Sequence, residues 1–405
     1  MKYFSDSSIM KKQIIIFIIT ILLPMRGCLY LHAQGVMTEN NDVRLFTSGH
    51  DKFEDMFREI RAAKSFIHME YFNFRNDSIA NLMFAILGEK VKEGVEVRCL
   101  YDAFGNMSNN QPISKARHDS IAATGLKLVK WDPIRFPWLN HIFPRDHRKI
   151  VVIDGRVGYT GGMNVADYYV DGLPGIGPWR DLHMHIEGAA VNELNKIFCE
   201  MWYDATEELL VGRKYFPIPE KAGNASIGVV DRWPHRTNKA IRELYITMLD
   251  SAKRNVRIIS PYFIPTTKVR KAINRAIERG VEVNIMVSEK GDIPMTPQAS
   301  LLLGRKFQKR GAHVYVFQNG FHHSKMMTVD DSYATVGSAN LDSRSLRCDY
   351  EINTIVYDKE FTSQLNNMYA DDVAHSELMS KEKYRKYSLG RRFIGWLGNL
   401  LTPFL

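Results

Sequence analysis

One short pattern occurs twice in the chain and constrains its fold more than any other feature of the sequence. The two copies read HRKIVVID at 147–154 and HSKMMTVD at 323–330. In each copy a lysine follows the histidine by two positions, and an asparagine, Asn164 or Asn340, follows the histidine by seventeen. Because side chains two apart on a strand project from the same face, each copy places an imidazole beside an ammonium group. This combination suits a phosphate, and two copies indicate one site with two histidines.

The elements around the two copies also follow one order. The first half reads as a strand at 65–72, a helix at 79–92 and a strand at 94–100, and the second half as a strand at 256–263, a helix at 268–279 and a strand at 280–286. In both halves a further helix, a short strand and a loop then lead to the repeated pattern. This alternation predicts an α/β fold. The matched order predicts two tandem domains related by internal duplication, with one active site shared at their interface.

Four segments are expected along the chain. A Pro- and Gly-rich stretch at 216–224 predicts a linker, which separates a first domain at 41–215 from a second domain at 225–382. Residues 383–405 form a basic C-terminal segment, and residues 1–33 form a signal peptide or an N-terminal anchor.

The N-terminal segment has the composition of an export signal. Lys11 and Lys12 precede an apolar run at 14–23 that is short for a membrane span. Cleavage after Ala33 is the favoured interpretation, and an uncleaved anchor and lipidation of Cys28 are the alternatives. All three place the rest of the chain outside the cytoplasm.

Charge and cysteine content limit the classes of partner. The chain of 405 residues has a formal net charge of +9. This charge favours an anionic partner such as nucleic acid, acidic lipid or a phosphorylated small molecule, although a generally basic surface gives the same total. The four cysteines show neither a CxxC pair nor a metal-ligand spacing. Cys99 lies in an apolar, strand-like run and is predicted to be a core residue.

The repeated pattern and the residues around it resemble the phospholipase D superfamily, and within it the bacterial cardiolipin synthases. The matching segments are both HxKxxxxD patterns, GGMN at 161–164, WRDLH at 179–183, GFHHSK at 320–325, GSANLDSRS at 337–345, Glu351 and the last residues, 400–405. The likeness extends from about residue 43 to residue 405. It implies that each repeat is a phospholipase D-like α-β-α sandwich.

The resemblance also implies a role for each residue of the repeated pattern. His147 would attack phosphorus and form a phosphohistidine, and His323 would act as general acid and then general base. The symmetry of the two copies also allows the opposite assignment. Four residues would hold the non-bridging phosphate oxygens, namely Lys149, Lys325, Asn164 and Asn340.

Carboxylates are expected to support the histidines. Glu351 matches the family position that orients a histidine, and Asp181 is the candidate for this duty in the first half. Asp154 and Asp330 complete the motifs and are counted with the catalytic residues, although a structural role is favoured. No metal or other cofactor is expected, because the lysines supply positive charge. A histidine-rich metal site is the rival interpretation, but it lacks carboxylates or cysteines at ligand spacing.

Two further segments indicate the substrate class. In the C-terminal segment, apolar residues recur at helical spacing and basic residues stand beside them: Leu389, Phe393, Trp396, Leu400 and Phe404, with Lys383, Arg385, Lys386, Arg391 and Arg392. Such a helix suits the surface of an anionic bilayer, and the alternative is a terminal helix docked on the protein's own core. An apolar loop at 131–144 either lines an acyl-chain entrance or packs between the halves.

The leading hypothesis is a cardiolipin synthase-like phosphatidyltransferase of the bacterial cell membrane, with its catalytic domains exported to the periplasmic or outer face. One phosphatidylglycerol would give its phosphatidyl group to the enzyme and release glycerol, and a second would accept the group. Water as acceptor would instead make a phospholipase D-type hydrolase or, less favoured, an exported nuclease. No nucleic acid partner is expected, since a nuclease should show base-stacking aromatics among its basic residues and no membrane helix. A non-catalytic lipid-binding protein is a third hypothesis, which the intact motifs oppose.

Overall fold

The structure is a computed structural model that describes residues 35–134 and 143–400. Several predictions concern residues outside these ranges: the signal or anchor at 1–33 with Cys28, the central part of the apolar loop at 135–142, and the end of the C-terminal segment at 401–405 with Phe404.

The described ranges contain seventeen strands and thirteen helices. The strands are β1 (Val36–Phe46), β2 (Phe66–Tyr71), β3 (Glu96–Asp102), β4 (Lys127–Trp131), β5 (Lys149–Ile153), β6 (Val157–Gly161), β7 (Trp179–Arg180), β8 (His183–Glu187), β9 (Ala225–Arg232), β10 (Asn255–Ile259), β11 (Glu282–Ser288), β12 (His313–Phe317), β13 (Phe321–His322), β14 (Met326–Val329), β15 (Tyr333–Gly337), β16 (Glu351–Tyr357) and β17 (Ser376–Leu378). The helices are α1 (Gly49–Ala62), α2 (Ser78–Lys92), α3 (Ala103–Ser108), α4 (Lys115–Ala122), α5 (Tyr168–Asp171), α6 (Ala190–Thr206), α7 (Ala240–Ser251), α8 (Thr267–Glu278), α9 (Thr296–Gln308), α10 (Ser343–Arg347), α11 (Lys359–Ala374), α12 (Lys381–Lys386) and α13 (Leu389–Leu400).

Fifteen strands form one sheet, and the other two described strands form a short parallel ribbon. The order across the sheet is β17-β12-β11-β10-β14-β15-β16-β9-β1-β8-β6-β5-β2-β3-β4, and β7 pairs with β13 in the ribbon. The first repeat contributes β4-β3-β2-β5-β6-β8-β1, and the second contributes β12-β11-β10-β14-β15-β16-β9. The equal order confirms the predicted duplication.

The strands of the two repeats meet at the middle of the sheet, and within each repeat three strands towards the outer edge run parallel. β1 pairs antiparallel with β9, with Val36 opposite Val229. The strands β2, β3 and β4 are parallel to one another, as are β10, β11 and β12. Parallel strands are buried on both faces, which explains their continuous apolar sequences.

Helices cover both faces of the sheet. In β2, Phe66 faces a core cluster that includes α6 and α11, whereas Ile67 and Met69 face a cluster that includes α1 and α2. In the second repeat, α7 and α8 pack on β10, β11 and β12 in the same way. The alternation follows the two-residue period of a strand, and the layers confirm the predicted α-β-α architecture. Cys99 is buried in the first-repeat core, as predicted.

One strand next to the site is shorter than predicted. β10 ends at Ile259 rather than near residue 263, because Pro261 has no amide hydrogen to extend the ladder. The hydroxyl of Ser260 instead accepts a hydrogen bond from the backbone N–H of Leu341 at 3.0 Å. This bond fixes the chain beyond β10 against the segment that follows Asn340.

The segment predicted as a linker, residues 216–224, contains neither helix nor strand and leads directly into β9. Both repeats contribute to one sheet within one compact unit, so the domain boundaries at 41–215 and 225–382 stay predictions. Within the described ranges, no helix has the length and apolar character needed to cross a membrane.

Candidate active site

A cavity of about 580 Å³ takes its walls from both repeats. His147 lies two residues before the start of β5, and His323 lies three residues before the start of β14. Both histidines line this cavity, together with Asn164 and Asn340. The volume is typical of a small-molecule site. The predicted sharing of one site by both repeats is therefore confirmed.

Each histidine is hydrogen-bonded to a carboxylate of the other repeat. His147 Nδ1 lies 3.0 Å from Glu351 Oε1 and 3.1 Å from Oε2. His323 Nδ1 lies 2.6 Å from Asp181 Oδ2. Because a carboxylate accepts the proton on Nδ1, the lone pair of each neutral ring is on Nε2, the atom available for chemistry. The two repeats thus support each other's histidines.

Strand register shows that Asp181 and Glu351 occupy equivalent positions. In the first repeat Gly161 is opposite His183, and in the second Gly337 is opposite Asn353. Each carboxylate stands two residues before the residue opposite the glycine. The spacing in the chain hides this match, because Asp181 follows its motif asparagine by seventeen residues and Glu351 by eleven.

The residue after each of these glycines adjusts the fit around the carboxylate. A Cβ atom at Gly162 would lie 2.2 Å from Asp181 Oδ1, so this position needs glycine. The equivalent residue, Ser338, donates a hydrogen bond from its hydroxyl to Glu351 Oε2. Ser338 was not predicted as a site residue, although the difference between GGMN and GSAN marks its position.

The two lysines lie behind the histidines. Lys149 Nζ donates to the backbone carbonyl of His147 at 2.6 Å, and Lys325 Nζ donates to that of His323. Lys325 Nζ is also 2.8 Å from Nδ1 and 3.1 Å from Nε2 of the His323 ring. Both lysines are buried, and neither is among the residues that line the cavity. Direct contact of either ammonium with a phosphate stays a prediction.

Burial holds the pKa values of both histidines below their usual range. For His147 burial is the largest cause, and the charges of Lys149 and Lys325 add to it. For His323 burial is followed by Lys325, while Asp181 acts in the opposite direction. Burial also lowers the pKa of Lys149 to about 7. Both imidazoles are therefore neutral at neutral pH, which is the form that a nucleophile needs.

The pKa values of the two carboxylates are shifted in opposite directions. Burial acts to raise the pKa of Asp181, but Lys325 and the hydrogen-bonded His323 outweigh it and hold the pKa below its usual value. Burial raises the pKa of Glu351 in spite of Lys149. Asp181 is thus the stronger partner for a positively charged imidazole.

The motif asparagines occupy matching positions in the cavity wall. Asn164 Nδ2 lies 3.5 Å from the Tyr169 hydroxyl, and Asn340 Nδ2 lies 3.5 Å from the Ser345 hydroxyl. Neither side-chain oxygen has a hydrogen-bond partner among the described residues. Because a hydroxyl can donate or accept, each amide can turn and direct its NH₂ group at a bound phosphate.

The motif aspartates lie elsewhere and bind backbone amides. Asp154 accepts from the N–H groups of residues 64–66 at 2.7–2.9 Å, and Asp330 accepts from those of residues 253–255 at 2.7–3.0 Å. Neither is among the residues that line the cavity. This placement corrects the grouping of Asp154 and Asp330 with the catalytic residues. Each aspartate joins the far end of its motif strand to the start of a neighbouring strand, which is the structural role that the sequence favours.

The ribbon of β7 and β13 holds residues next to both His323 and Asp181. The carboxylate of Asp372, on α11, binds one residue of each strand of the ribbon. Its Oδ2 lies 3.0 Å from Arg180 Nε in β7 and 2.9 Å from His322 Nε2 in β13. Asp372 was not predicted, because it lies far along the chain in a helix without a motif. It fixes the segments that deliver a histidine and its carboxylate.

The described ends of the apolar loop lie in two different environments. Trp131 is buried, with its ring 5.2 Å from that of Tyr350. Phe143 is exposed and lies 4.9 Å from the guanidinium of Arg344, which lines the cavity. One end therefore packs in the core, and the other lies beside the cavity.

Comparison with known proteins identifies the family. A family model described as "Cardiolipin synthase, PLD-like domain" matches residues 56–202 and 245–373. The chain belongs to this family. The first matched range contains His147 and Asp181, and the second contains His323 and Glu351, so each match carries one half of the site.

Curated relatives of the chain are cardiolipin synthases, and a solved structure shares its fold. Cardiolipin synthase 1 of Staphylococcus epidermidis is 36% identical over 382 residues, which cover 93% of this chain and 77% of the relative. Cardiolipin synthase of Staphylococcus aureus is 35% identical over 372 residues, which cover 91% and 74%. A crystal structure of phosphatidylserine synthase from Haemophilus influenzae has a TM-score of 0.71 at 16% identity and covers 90% of this chain and 95% of that chain. The last comparison shows the shared fold.

The charged groups around the site are side chains of the protein itself. Within the described part of the chain, no group of three or more His, Cys, Asp or Glu residues is arranged to hold a metal ion. The positive charge close to the histidines comes from Lys149 and Lys325.

Proposed function

We propose that this protein is a cardiolipin synthase-type phosphatidyltransferase that joins two phosphatidylglycerol molecules and releases glycerol. The observation that carries the proposal is the reciprocal pairing of His147 with Glu351 and of His323 with Asp181 around one cavity. Two oriented imidazoles in one cavity supply a nucleophile and a general acid for the same phosphodiester. Membership of the cardiolipin synthase family supports phosphatidylglycerol as donor and acceptor.

In the first step, Nε2 of His147 attacks the phosphorus of one phosphatidylglycerol. The bond from phosphorus to the glycerol oxygen breaks, and His323 gives its Nε2 proton to that oxygen, so glycerol leaves. The negative phosphate raises the pKa of His323 when the lipid binds and helps that ring to carry the proton. The amide groups of Asn164 and Asn340 donate to the non-bridging oxygens.

In the second step, the free glycerol hydroxyl of another phosphatidylglycerol takes the place of the departed glycerol. His323 accepts the hydroxyl proton while the oxygen attacks phosphorus. The bond between phosphorus and His147 breaks, which gives cardiolipin and restores the enzyme. Water in this position would give phosphatidic acid instead.

The difference between the two carboxylates supports His147 as the nucleophile. Asp181 has a lowered pKa and stabilises a protonated His323, whereas Glu351 has a raised pKa and gives less support to charge on His147. Peptide mapping of protein quenched in alkali during turnover tests this assignment. Phosphate on His147 is the expected result, and phosphate on His323 would reverse the roles.

The activity itself is tested with purified protein and phosphatidylglycerol vesicles. Cardiolipin and glycerol are the expected products. Replacement of His147 or His323 by Ala should each abolish both products, because neither histidine can complete the reaction without the other. Phosphatidic acid as the sole product would refute the transferase and favour a hydrolase.

We also propose that α13 binds the surface of an anionic bilayer. One face of α13 packs on α9, where Gly395 lies so close that a Cβ would be 2.6 Å from the carbonyl oxygen of Gln298. The other face carries apolar side chains that are each more than half exposed, namely Leu389, Phe393, Trp396 and Leu400. Arg385 and Lys386 are exposed just before this helix. An apolar face next to basic groups suits acidic headgroups, and the protein would act at the exported face of the bacterial cell membrane.

Vesicle sedimentation tests the role of α13. The double variant Phe393→Ser and Trp396→Ser should lose about tenfold or more in binding to phosphatidylglycerol vesicles, because two apolar side chains no longer enter the bilayer. Leu209→Ser with Ile218→Ser is a matched control, since both residues are exposed and lie outside α13. Unchanged binding of the α13 variant would contradict the proposal.

A further inference from the structure

A transfer between two phospholipids, as proposed above, brings two phosphate groups into one cavity. One phosphate reacts between the histidines. The other belongs to the accepting lipid, is not broken, and keeps its negative charge throughout. Because burial of an unpaired charge is costly, the cavity needs a cation that the motif residues do not already use.

Two arginines, Arg75 and Arg344, line the cavity in the described part of the chain. Arg344 is engaged, because its Nε donates to Asp349 Oδ2 at 2.6 Å. Arg75 is only 9% exposed, and its buried Nε has no hydrogen-bond partner among the described residues. Guanidinium groups are well matched to phosphate oxygens. Arg75 therefore offers donors to a ligand at a buried position of the cavity wall.

The carboxylate next to Arg75 is occupied by other contacts. Asp77 Oδ2 is 3.8 Å from Arg75 Nε, which is longer than a hydrogen bond. The Asp77 carboxylate accepts from the backbone N–H of Asp167 at 2.8 Å and from that of Ala80 at 3.3 Å, and thereby caps α2. Burial raises the pKa of Asp77 to about 6. The charge of Arg75 is therefore incompletely neutralised.

A wall of aromatic rings connects Arg75 with His323. The guanidinium carbon of Arg75 is 5.4 Å from the centre of the Tyr168 ring. The Tyr168 ring lies 4.6 Å from Trp179, and Trp179 lies 5.2 Å from His323. All four residues line the cavity. In the proposed second step His323 accepts the proton of the attacking hydroxyl, so an acceptor that binds along this wall would have its hydroxyl beside His323 and its phosphate nearer to Arg75.

We propose that Arg75 binds the intact phosphate of the accepting phosphatidylglycerol. The attacking hydroxyl and this phosphate stand at opposite ends of one glycerol group, which extends along the wall from His323 towards Arg75. Arg75 thereby selects an anionic phospholipid as acceptor over a neutral alcohol. Glycerol itself has the hydroxyl but no phosphate, so it does not depend on Arg75.

Two reactions of the full-length protein on phosphatidylglycerol vesicles test this role. The first is cardiolipin formation, which uses an acceptor with a phosphate. The second is exchange of labelled glycerol into phosphatidylglycerol, which uses the same donor and an acceptor without a phosphate. Arg75→Gln should slow the first reaction by about tenfold or more, since a charge-assisted hydrogen bond is lost, and leave the second close to the wild-type rate.

Two further variants support the interpretation. Arg75→Lys keeps the charge and should retain part of the cardiolipin activity. Arg61→Gln removes an exposed arginine of α1 and should change neither reaction. Equal loss of both reactions in Arg75→Gln would overturn the role in acceptor binding, and so would no loss in either. Wild-type protein that produces only phosphatidic acid would instead refute the transferase, and with it this role of Arg75.

Discussion

Replacement of Asp181 by asparagine tests the support that one repeat gives to the histidine of the other. Asp181 Oδ2 lies 2.6 Å from His323 Nδ1 and 3.8 Å from Lys325 Nζ. Its negative charge raises the pKa of His323 against the effect of burial. Asp181→Asn keeps the size of the side chain and removes the charge. His323 then loses the group that stabilises its protonated form.

The loss of this hydrogen bond to a charged group determines both the size and the direction of the expected change in rate. A hydrogen bond to a charged group stabilises by about 1.5–3 kcal/mol, which corresponds to roughly a 10- to 100-fold fall in the rate of glycerol release. The pKa of His323 falls further in the variant, so the protonated ring is lost at a lower pH as the pH rises. The descending limb of the rate–pH curve should therefore shift to lower pH.

The assay is the initial rate of glycerol release from phosphatidylglycerol vesicles over a range of pH. Glu351→Gln is the matched variant, because it removes the carboxylate that supports His147 instead. It should lower the rate without the same shift of the descending limb. Asp181→Asn also removes the carboxylate with the largest coulombic effect on the buried Lys325. Breaking a buried ion pair costs about 3 kcal/mol of unfolding free energy, so rates are measured well below the thermal transition of each variant.

Two results would refute this reasoning. A lower rate with an unmoved descending limb would mean that Asp181 acts only through packing. An equal shift in Asp181→Asn and Glu351→Gln would mean that the two histidines do not have separate roles.

Three other predictions concern substitutions with clear expected outcomes. Gly162→Ala should abolish glycerol release while Ser338→Ala retains part of it, because only the first places a Cβ 2.2 Å from Asp181 Oδ1; comparable rates in the two variants would contradict the steric need for glycine at position 162. Asp330→Asn should lower the unfolding free energy measured in urea by about 1–3 kcal/mol, since its bonds to backbone amides weaken, yet keep a specific activity near wild type; loss of activity in the folded variant would restore a chemical role. Asp372→Asn should reduce kcat with little change in KM, because it positions the ribbon of β7 and β13 without lining the cavity; an unchanged kcat would show that the ribbon holds its position without this carboxylate.

The repeated motif in the sequence was enough to predict the main features of the fold. The spacing of His147 and Lys149, repeated at His323 and Lys325, predicted two similar halves with one shared site. The alternation of strands and helices predicted an α/β fold, and the resemblance to the phospholipase D superfamily implied the α-β-α layers. These features follow from local periodicity and from order along the chain, both of which can be read without knowledge of tertiary contacts.

Other features depend on contacts that the order of residues does not reveal. The match of Asp181 with Glu351 appears only in the strand register, because the loop before β7 lengthens the first repeat. The lysines were expected at the phosphate, but their ammonium groups bind the histidine carbonyls. Arg75 can be recognised as a candidate phosphate ligand only because its neighbour Asp77 is already bonded to backbone amides. Each of these facts concerns the partner that a side chain finds after folding.

The segment at 216–224, which the sequence predicts to be a linker, bears on whether the activity requires an unbroken chain. The strand pairs and hydrogen bonds that build the site are formed by residues outside this stretch, including β1 with β9 and β7 with β13. A chain cut in the linker should therefore remain active when both fragments fold together. Either fragment alone keeps one histidine and the carboxylate that belongs to the other. The candidate active site is thus built at the junction of the two repeats, and neither repeat alone holds a histidine together with its carboxylate partner.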